Sequence, residues 1–346
     1  MHLKQSLIIA IAFSFLGLAS WELFWRSEGK MPDLDDDKNL WAVQRAKVNK
    51  LTKSDVLLMG SSRVLFDIQL NEWESETGVR PIQLASAGAS PLPIFHDIVN
   101  NTDFNGTVIV GVTPGLFFST TYPGAGPWKR AQSRVEYYQN RTYAQRLNHW
   151  LSLPLQKNLA LVSTTEEGWS DDIDLKSLLG TIQLENRLEK PIFPPFYNFG
   201  DIDQDRNMQM TQKTVNDTAF ANTVKLVWKT IVTSNDQPPE REATTSFFAD
   251  DAKKFKAKDG NLILVYCPAS GLFKEGETKF FKTSEFWDKL ILQTGKKGYH
   301  YEDYEQLKNL DCPEWSHLSA KDAKYFTTEL IKIMKIDGAL SHSKTN

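Results

Sequence analysis

The sequence has few of the residues on which metal-binding and disulfide-rich proteins depend. Its 346 residues include only two cysteines, Cys267 and Cys312, and six histidines. No group of histidines, cysteines and carboxylates has the spacing of metal ligands, so no metal site is predicted. Neither a Gly-x-Gly-x-x-Gly segment nor a P-loop is present, and no cofactor is expected. With a net charge of -3 the chain lacks the basic excess of nucleic-acid-binding proteins, so no nucleic-acid partner is expected.

Long hydrophobic runs are also scarce, and the exception lies near the N-terminus. It extends from Ser6 to Trp25 and contains a single charged residue, Glu22. A span of about 20 residues is long enough to cross a bilayer. The run therefore predicts a transmembrane helix over residues 1–25. The alternative is a signal peptide that is cleaved after the small residues near Ser20.

The charges around this run indicate its orientation. Lys4 precedes it, and acidic residues follow it at positions 28, 33, 35, 36 and 37. By the positive-inside rule, the N-terminus stays in the cytoplasm and the rest of the chain is exported. Arg26 and Lys30, which follow the run, favour the opposite orientation.

The remaining chain divides into a polar stalk and one large domain. Residues 26–53 form the stalk, with a helix predicted at 38–51, and residues 54–340 form the domain. Apolar runs predict five strands, at 55–59, 81–85, 107–112, 261–266 and 298–304. Helices are predicted at 68–77, 92–100, 216–232, 241–256, 284–294 and 320–334. Continuous apolar strands separated by helices indicate a parallel sheet with helices on both faces.

A long segment without this alternation separates the third and fourth strands. Residues 122–215 are predicted to be an insertion, either a cap over a site or a surface subdomain. Its aromatic residues can stack on sugars or form ordinary core: Trp128, Tyr137, Tyr138, Trp150, Phe193, Phe196 and Tyr197. Residues 341–346 are expected to be a disordered tail.

The first predicted strand ends abruptly at Gly60-Ser61-Ser62. Ligands of open parallel sheets bind beyond the carboxyl ends of the strands, where this turn is expected to lie. A serine there can expose its hydroxyl as a nucleophile, or it can simply cap the following helix. Near the other end of the chain, Glu314 and His317 precede the last predicted helix. An imidazole can activate a serine while the carboxylate holds the other ring nitrogen.

These segments together resemble the SGNH (GDSL-type) hydrolase superfamily. The sequence Val-Leu-Leu-Met-Gly-Ser-Ser-Arg at 56–63 and the segment at 316–327 are most similar to its membrane-anchored, exported branch. That branch includes the D-alanyl transfer protein of teichoic-acid systems and the alginate-type O-acetyltransferases. The resemblance covers about residues 54–115 and 260–334, and not the insertion. It implies a three-layer, flavodoxin-like fold with a five-stranded parallel sheet.

The resemblance also implies a role for individual residues. The family's nucleophile corresponds to Ser62, with Ser61 where the family usually has Asp. The base corresponds to His317, and the acid corresponds to Glu314 instead of the usual Asp. The oxyanion hole is expected from the backbone N–H groups of Ser62 and Gly88 and from an Asn after the third strand. No Asn is present there, and Thr113 is the nearest polar substitute.

Arg63 and the two cysteines have both a functional and a structural interpretation. Arg63 follows the predicted nucleophile, where it can pair with a carboxylate, bind an anionic substrate group, or lie on a solvated helix. Cys267 and Cys312 fall near each other in a fold of this type. In an oxidising compartment they can form a disulfide that holds the loop of Glu314, or they remain buried thiols.

The leading hypothesis is a membrane-anchored serine esterase or O-acyltransferase that acts on an extracytoplasmic glycan. The resemblance implies a bacterial cytoplasmic membrane location with the domain in the periplasm. It also implies a multi-span membrane-bound O-acyltransferase partner that delivers acyl groups. The alternative is a catalytically degenerate binding or scaffold subunit of an envelope polysaccharide-modification complex.

Overall fold

The computed structural model of this chain describes residues 2–119, 124–163, 194–233 and 239–340. The predicted disordered tail at 341–346 lies outside the described residues, as do Phe193 and other parts of the predicted insertion.

A five-stranded parallel sheet forms the centre of the molecule. The described strands are β1 Val56–Met59, β2 Ile82–Gln83, β3 Thr107–Gly111, β4 Gly200–Ile202, β5 Met208–Met210, β6 Asn261–Tyr266 and β7 Lys297–His300. The sheet order is β2-β1-β3-β6-β7, and each neighbouring pair is parallel. This 2-1-3-4-5 order along the chain is the flavodoxin-like arrangement. The predicted parallel sheet is therefore confirmed.

Fourteen α-helices accompany the strands in the described part of the chain. They are α1 His2–Ser27, α2 Lys38–Val48, α3 Ser62–Asp67, α4 Leu70–Thr77, α5 Leu92–Asn101, α6 Pro114–Phe117, α7 Gly126–Asn140, α8 Tyr143–Asn158, α9 Gln212–Asn216, α10 Thr218–Thr233, α11 Arg241–Ala257, α12 Gly271–Phe280, α13 Trp287–Thr294 and α14 Ala320–Ile336.

The helices cover the sheet in two groups. Helix α14 contacts α3 and α4, whereas α11 contacts α5 and α13. Right-handed crossovers in this strand order put the two groups on opposite faces of the sheet. The residues of the central strands are mostly apolar and buried, as in β1, where all four residues are buried. Burial on both faces explains why these central strands are apolar runs, whereas the edge strands β2 and β7 also contain polar residues.

Two predicted strands are shorter in the structure than in the sequence analysis. The segment 81–85 contains only the two-residue strand β2, at the edge of the sheet. The backbone oxygens of Gln83 and Ala85 accept hydrogen bonds from Arg206 at 2.9 and 2.8 Å. The segment 298–304 leaves the sheet after His300, whose Nδ1 accepts the N–H of Glu302 at 3.2 Å and caps a 3₁₀ turn.

The N-terminal helix α1 is long and apolar enough to cross a membrane by length and composition. Residues Leu3–Ser27 have a mean hydropathy of 2.0, and the apolar window is not buried in the protein. The predicted stalk helix is present as α2, which begins at the N-cap Asp37 and ends three residues earlier than predicted. It is part of the core, since Trp41 is fully buried and donates its Nε1–H to the backbone oxygen of Leu84 at 2.9 Å.

The interval between β3 and β6 contains α6 to α11 and the antiparallel pair β4–β5. Arg206, in the β4–β5 connection, is fully buried. Besides its two backbone acceptors, it donates to both carboxylate oxygens of Asp36 at 2.6 and 2.8 Å. The insertion is therefore fixed at once to the edge of the sheet and to the segment that precedes α2.

Candidate functional site

The turn after β1 is held close to the sheet by two glycines. A Cβ added to Gly60 would lie 2.4 Å from Val64 Cγ2, and one added to Gly111 would lie 2.0 Å from the same atom. Val64 of α3 therefore packs directly on the backbone of β1 and β3. This close approach sets the position of Ser62, the first residue of α3.

The two serines of this turn have different roles in the structure. Ser61 is the N-cap of α3: its Oγ accepts the N–H of Arg63 at 3.4 Å and is hydrogen-bonded to Thr113 Oγ1 at 2.7 Å. The capping interpretation therefore applies to Ser61. Ser62 is partly exposed, and among the described residues its hydroxyl has no hydrogen-bond partner. The hydroxyl that is available for chemistry is that of Ser62.

Glu314 and His317 form a buried pair in the loop before α14. Glu314 Oε1 accepts the backbone N–H of His317 at 2.6 Å and lies 2.8 Å from its Nδ1. A carboxylate at Nδ1 favours the tautomer that carries the proton there, which leaves a lone pair on Nε2. Nε2 is buried and has no partner within the described part of the chain. Such an unpaired nitrogen is what a general base requires.

Three aromatic residues surround His317, and we refer to Phe66, Phe199 and Trp228 as the aromatic cover. Their ring centroids lie 4.5, 5.6 and 6.1 Å from that of His317. Trp228 also donates its Nε1–H to Glu314 Oε2. Phe199 belongs to the predicted insertion and Trp228 to α10 just after it. The insertion thus contributes directly to the surroundings of the predicted base.

The loop that carries Glu314 and His317 is anchored on two sides. Ser270, after β6, donates its N–H to the oxygen of Trp315 and accepts the N–H of Cys312, both at 2.9 Å. Trp315 has a φ of +82° and packs on Gly271, where a Cβ would lie 2.4 Å from its ring. Such positive φ values are uncommon outside glycine and are maintained by surrounding contacts.

On its other side, the loop is tied to α3 by Asp67. Asp67 Oδ1 accepts the N–H of Leu318 at 3.0 Å, and Oδ2 has no partner among the described residues. Burial raises the pKa of Asp67 well above its ordinary value, and the Leu318 N–H and the Arg63 guanidinium offset this only in part. The protonated form of this carboxyl is therefore favoured in the folded protein.

Arg63 does pair with a carboxylate, but the partner belongs to this chain. Its Nη2 lies 2.6 Å from Glu277 Oε1, and Tyr266 Oη donates to Glu277 Oε2 at 2.9 Å. Burial alone would lower the pKa of Arg63, but Glu277 outweighs it and raises that pKa. The Arg63 side chain is 1% exposed, so the internal ion pair accounts for its charge, and the predicted substrate-binding role stays a prediction. The prediction of a solvated helix residue is wrong, because the side chain is buried.

The predicted disulfide is absent from the structure. Cys267 and Cys312 are both free thiols and both buried. Burial raises the pKa of each thiol well above its ordinary value, and the carboxyl group of Asp67 raises it further. Thiols in such surroundings are rarely ionised, so they behave as apolar core residues.

The three residues predicted to form the oxyanion hole follow three adjacent strands. Ser62 follows β1, Gly88 follows β2 and Thr113 follows β3, so all lie beyond the same edge of the sheet. Thr113 Oγ1 is already hydrogen-bonded to Ser61. Gly88 has a φ of +60° and its oxygen accepts Arg130 Nη1 at 3.3 Å, so a residue of α7 covers it.

Sequence reasoning missed the residues that complete this site. Trp228 and Phe199 carry no motif, because each occurs in an ordinary helical or aromatic pattern. Asp67 was not singled out either, although a charged residue at the end of an apolar helix is a usable signal. In the described ranges, no group of three or more histidine, cysteine or acidic side chains is arranged to hold a metal ion.

Comparisons with known proteins do not assign this chain to a family. No protein-family model matches the sequence, and no curated protein matches it either. The function of this chain therefore has to be inferred from the geometry of the site.

Proposed function

We propose that this chain is a membrane-anchored serine acyl-transfer enzyme with an SGNH-like, three-layer domain. Ser62 is its nucleophile, His317 its general base and Glu314 the carboxylate that orients the base. The single observation that carries this proposal is the buried Glu314–His317 pair, in which His317 Nε2 has no partner among the described residues. A buried polar nitrogen without a hydrogen bond costs about 1–3 kcal/mol, and such groups are retained at functional sites.

The proposed reaction has two half-reactions. Ser62 Oγ attacks the carbonyl carbon of an ester while His317 Nε2 takes the hydroxyl proton, and Glu314 stabilises the imidazolium. The tetrahedral intermediate then collapses to an acyl-serine as His317 returns the proton to the leaving alkoxide. In the second half-reaction water or a sugar hydroxyl attacks the acyl-serine, with His317 again accepting and returning one proton. Water gives an esterase, and a sugar hydroxyl gives an O-acyltransferase.

Substrate binding requires a rearrangement of the aromatic cover. A productive complex brings Ser62 Oγ within about 3 Å of Nε2. The two side chains are not hydrogen-bonded to each other, and Nε2 lies beneath the aromatic cover. We therefore expect Phe199 and Trp228 to shift when an acyl group enters. The backbone N–H groups of Ser62 and Gly88 would then bind the oxyanion, with Thr113 as a weaker third donor than an Asn.

The proposed substrate is an acylated glycan of the bacterial cell envelope, on the periplasmic side of the cytoplasmic membrane. The apolar helix α1 supports an anchored location, and Lys4 before it supports a cytoplasmic N-terminus. A transferase of this kind needs an acyl donor from across the membrane. A multi-span membrane-bound O-acyltransferase is the partner that we propose for that step.

The second function that we consider is a binding or scaffold subunit of the same envelope machinery. Two observations favour it: Nε2 is covered by aromatic rings, and the Thr113 hydroxyl is bonded to Ser61. In that case the Glu314–His317 pair would only stabilise the loop.

The two functions are distinguished by covalent labelling of the full-length protein in detergent with a fluorophosphonate probe. We expect labelling of the wild type and its loss in Ser62→Ala. We expect His317→Ala to reduce the labelling rate by about 10³-fold or more. Ser61→Ala is the matched control, because it removes the neighbouring hydroxyl and should leave the labelled residue intact.

The opposite results are equally informative. Labelling that persists in Ser62→Ala and disappears in Ser61→Ala would move the nucleophile to the capping serine. A folded wild type that does not react with the probe, or with a small aryl acetate, would favour the binding subunit.

A further inference from the structure

A stripe of large apolar side chains on α8 faces solvent. Its members are Tyr143 (73% exposed), Leu147 (40%), Trp150 (67%), Leu151 (52%) and Leu155 (50%). Spacings of three, four and seven residues put them on one side of a helix with 3.6 residues per turn. We call these five residues the α8 stripe. Exposed apolar clusters of this kind are uncommon on proteins that contact only water.

The opposite side of α8 is the one that packs on the protein. His149 is buried, and Gln156 Oε1 accepts the backbone N–H of Asp35 at 3.2 Å. A capping box of Thr142 and Gln145 fixes the first turn. The α8 stripe is therefore a second apolar surface and not the core face of the helix.

The end of α8 is joined to the end of the apolar helix α1. Glu22 of α1 accepts the N–H groups of Ala160 and Leu161, both at 2.9 Å, in the 3₁₀ turn after α8. Arg26 of α1 donates to the backbone oxygen of Asn158 at 2.9 Å. These contacts explain the acidic residue in an otherwise apolar helix. They also place α8 where α1 would leave a bilayer.

Three basic residues lie on α8 or next to it. Residues 137–163 contain Arg141, Arg146 and Lys157 and no acidic residue, although Lys157 also lines a pocket with Asp33, Asp201, Asp203 and Asp205. At about 100° per residue, Arg146 and Lys157 lie along one border of the α8 stripe. Basic residues that border an apolar face, with Trp and Tyr on that face, are typical of helices in the lipid–water interface.

We propose that α8 lies in the lipid–water interface beside the membrane anchor, with the α8 stripe in contact with lipid. The inference depends on α1 spanning the bilayer and not on the chemistry at Ser62. It gives the domain a second attachment to the membrane. A domain held by both α1 and α8 has a fixed height and orientation above the bilayer, whereas one held by α1 alone can rotate.

The test is a depth measurement on the full-length protein in vesicles of phosphatidylethanolamine and phosphatidylglycerol. A nitroxide is attached to Leu151→Cys, and its collision rates with oxygen and with a water-soluble nickel complex are compared. Cys267 and Cys312 are buried, so the wild type treated with the same nitroxide reagent serves as the background. Ser284→Cys is the matched control, an exposed position on the α12–α13 connection.

We expect the ratio of oxygen to nickel collisions at Leu151 to be several-fold higher than at Ser284. A high nickel rate at both positions would put the stripe in water and overturn the proposal. Low rates with both reagents at Leu151 would mean that protein covers it, and would overturn the proposal as well.

The basic residues Arg146 and Lys157, which border the α8 stripe, allow an independent test. We expect the nitroxide to lie deeper in anionic than in phosphatidylcholine vesicles, and the double substitution Arg146→Gln/Lys157→Gln to abolish that difference. An unchanged depth in both lipids and in the double variant would refute the proposed role of anionic headgroups. Fluorophosphonate labelling of Ser62 on the same samples reports separately on the proposed active site.

Discussion

Among single residues, Glu314 is the most constrained member of the proposed site. Its Oε1 binds the backbone and the ring of His317, and its Oε2 accepts from Trp228. A fully buried carboxylate needs such donors, because an unpaired buried charge costs several kcal/mol. Trp228 is therefore a positioning residue: it acts on the reaction through the acid.

The Trp228→Phe variant keeps an aromatic ring in the cover but removes the N–H donor. We expect kcat to fall about tenfold, since one hydrogen bond to a charged group contributes about 1.5 kcal/mol or more. The measurement is kcat with an aryl acetate substrate.

Trp73→Phe is the matched control for this prediction. The Trp73 ring is also buried, but its Nε1 has no hydrogen-bond partner among the described residues. Its removal should leave kcat unchanged. Equal effects of the two variants would mean that Trp228 acts only through packing.

Among the elements, the contact between α3 and the sheet determines where the nucleophile lies. Val64 rests on the backbone of Gly60 and Gly111, so α3 approaches β1 and β3 more closely than any side chain at these positions would allow. The site depends on this spacing because Ser62 is the first residue of α3 and Asp67 its last. The same helix thus connects the nucleophile to the loop of His317.

Gly111→Ala should disturb this contact strongly. The added methyl group would lie 2.0 Å from Val64 Cγ2, and α3 or β3 must move. We expect a loss of about 1–3 kcal/mol in the free energy of unfolding, and a larger relative loss of Ser62 labelling. The measurement is urea unfolding followed by tryptophan fluorescence, together with the labelling rate.

Two further variants test whether the clash with Val64 causes the effects of Gly111→Ala. Gly115→Ala, where nothing lies within 4 Å of the new methyl group, should be close to neutral. Adding Val64→Ala to Gly111→Ala should restore part of the labelling rate, because it removes the clashing atoms. A Gly111→Ala protein that is as stable and as reactive as the wild type would contradict the proposed spacing.

For the molecule as a whole, the half-buried carboxyl group of Asp36 and the buried carboxyl group of Asp67 give the folding stability an opposite dependence on pH. Burial alone would raise the pKa of Asp36, but the guanidinium groups of Arg206 and Arg134 outweigh it and hold that pKa below its ordinary value. Asp36 therefore stabilises the fold above pH about 4, and this contribution is lost as the pH falls through its depressed pKa. The raised pKa of Asp67 has the reverse effect: its contribution is complete below pH about 4 and is lost as the pH rises.

The free energies of unfolding of the variants Asp36→Asn and Asp67→Asn should therefore diverge as the pH changes. Asp36→Asn removes one partner of a buried ion pair and should cost about 3–5 kcal/mol at neutral pH, with a smaller deficit below pH 4. Asp67→Asn should be close to neutral in acid and increasingly more stable than the wild type as the pH rises. The measurement is the free energy of unfolding in urea across pH 3 to 8 for the three proteins. Parallel curves for the wild type and Asp67→Asn would show that Asp67 has an ordinary pKa.

Much of the fold and part of the site follow from local sequence patterns. The central strands β1, β3 and β6 are apolar runs, and β6 has the predicted bounds of 261–266. The segments of Ser62 and His317 stand out because one follows a strand and the other precedes a helix, whereas the roles of these two residues come from the family resemblance and stay predictions. The acid three residues before the histidine forms the predicted contact, since a spacing of three lets Glu314 reach both the backbone and the ring of His317.

Other features were not predictable, because they join segments far apart in the chain. Trp228 meets Glu314 across 86 residues, Arg63 meets Glu277 across 214, and Glu22 meets Ala160 across 138. No periodicity or spacing indicates such pairs, since the two partners lie in separate helices, turns or loops with no shared local pattern. The assignment of Ser61 as the cap also needed the position of Thr113 on a neighbouring strand.

The sequence by itself determined the parallel α/β architecture, the apolar N-terminal helix and the acid–histidine pair, because burial and hydrogen bonding within a short segment impose their own residue pattern. The tertiary structure decided which serine has a free hydroxyl, that Arg63 pairs internally, that the cysteines are free thiols, and that the end of α8 is joined to the end of α1. These outcomes depend on which surfaces meet after folding. A chain of residues specifies them only through the packing of the whole molecule.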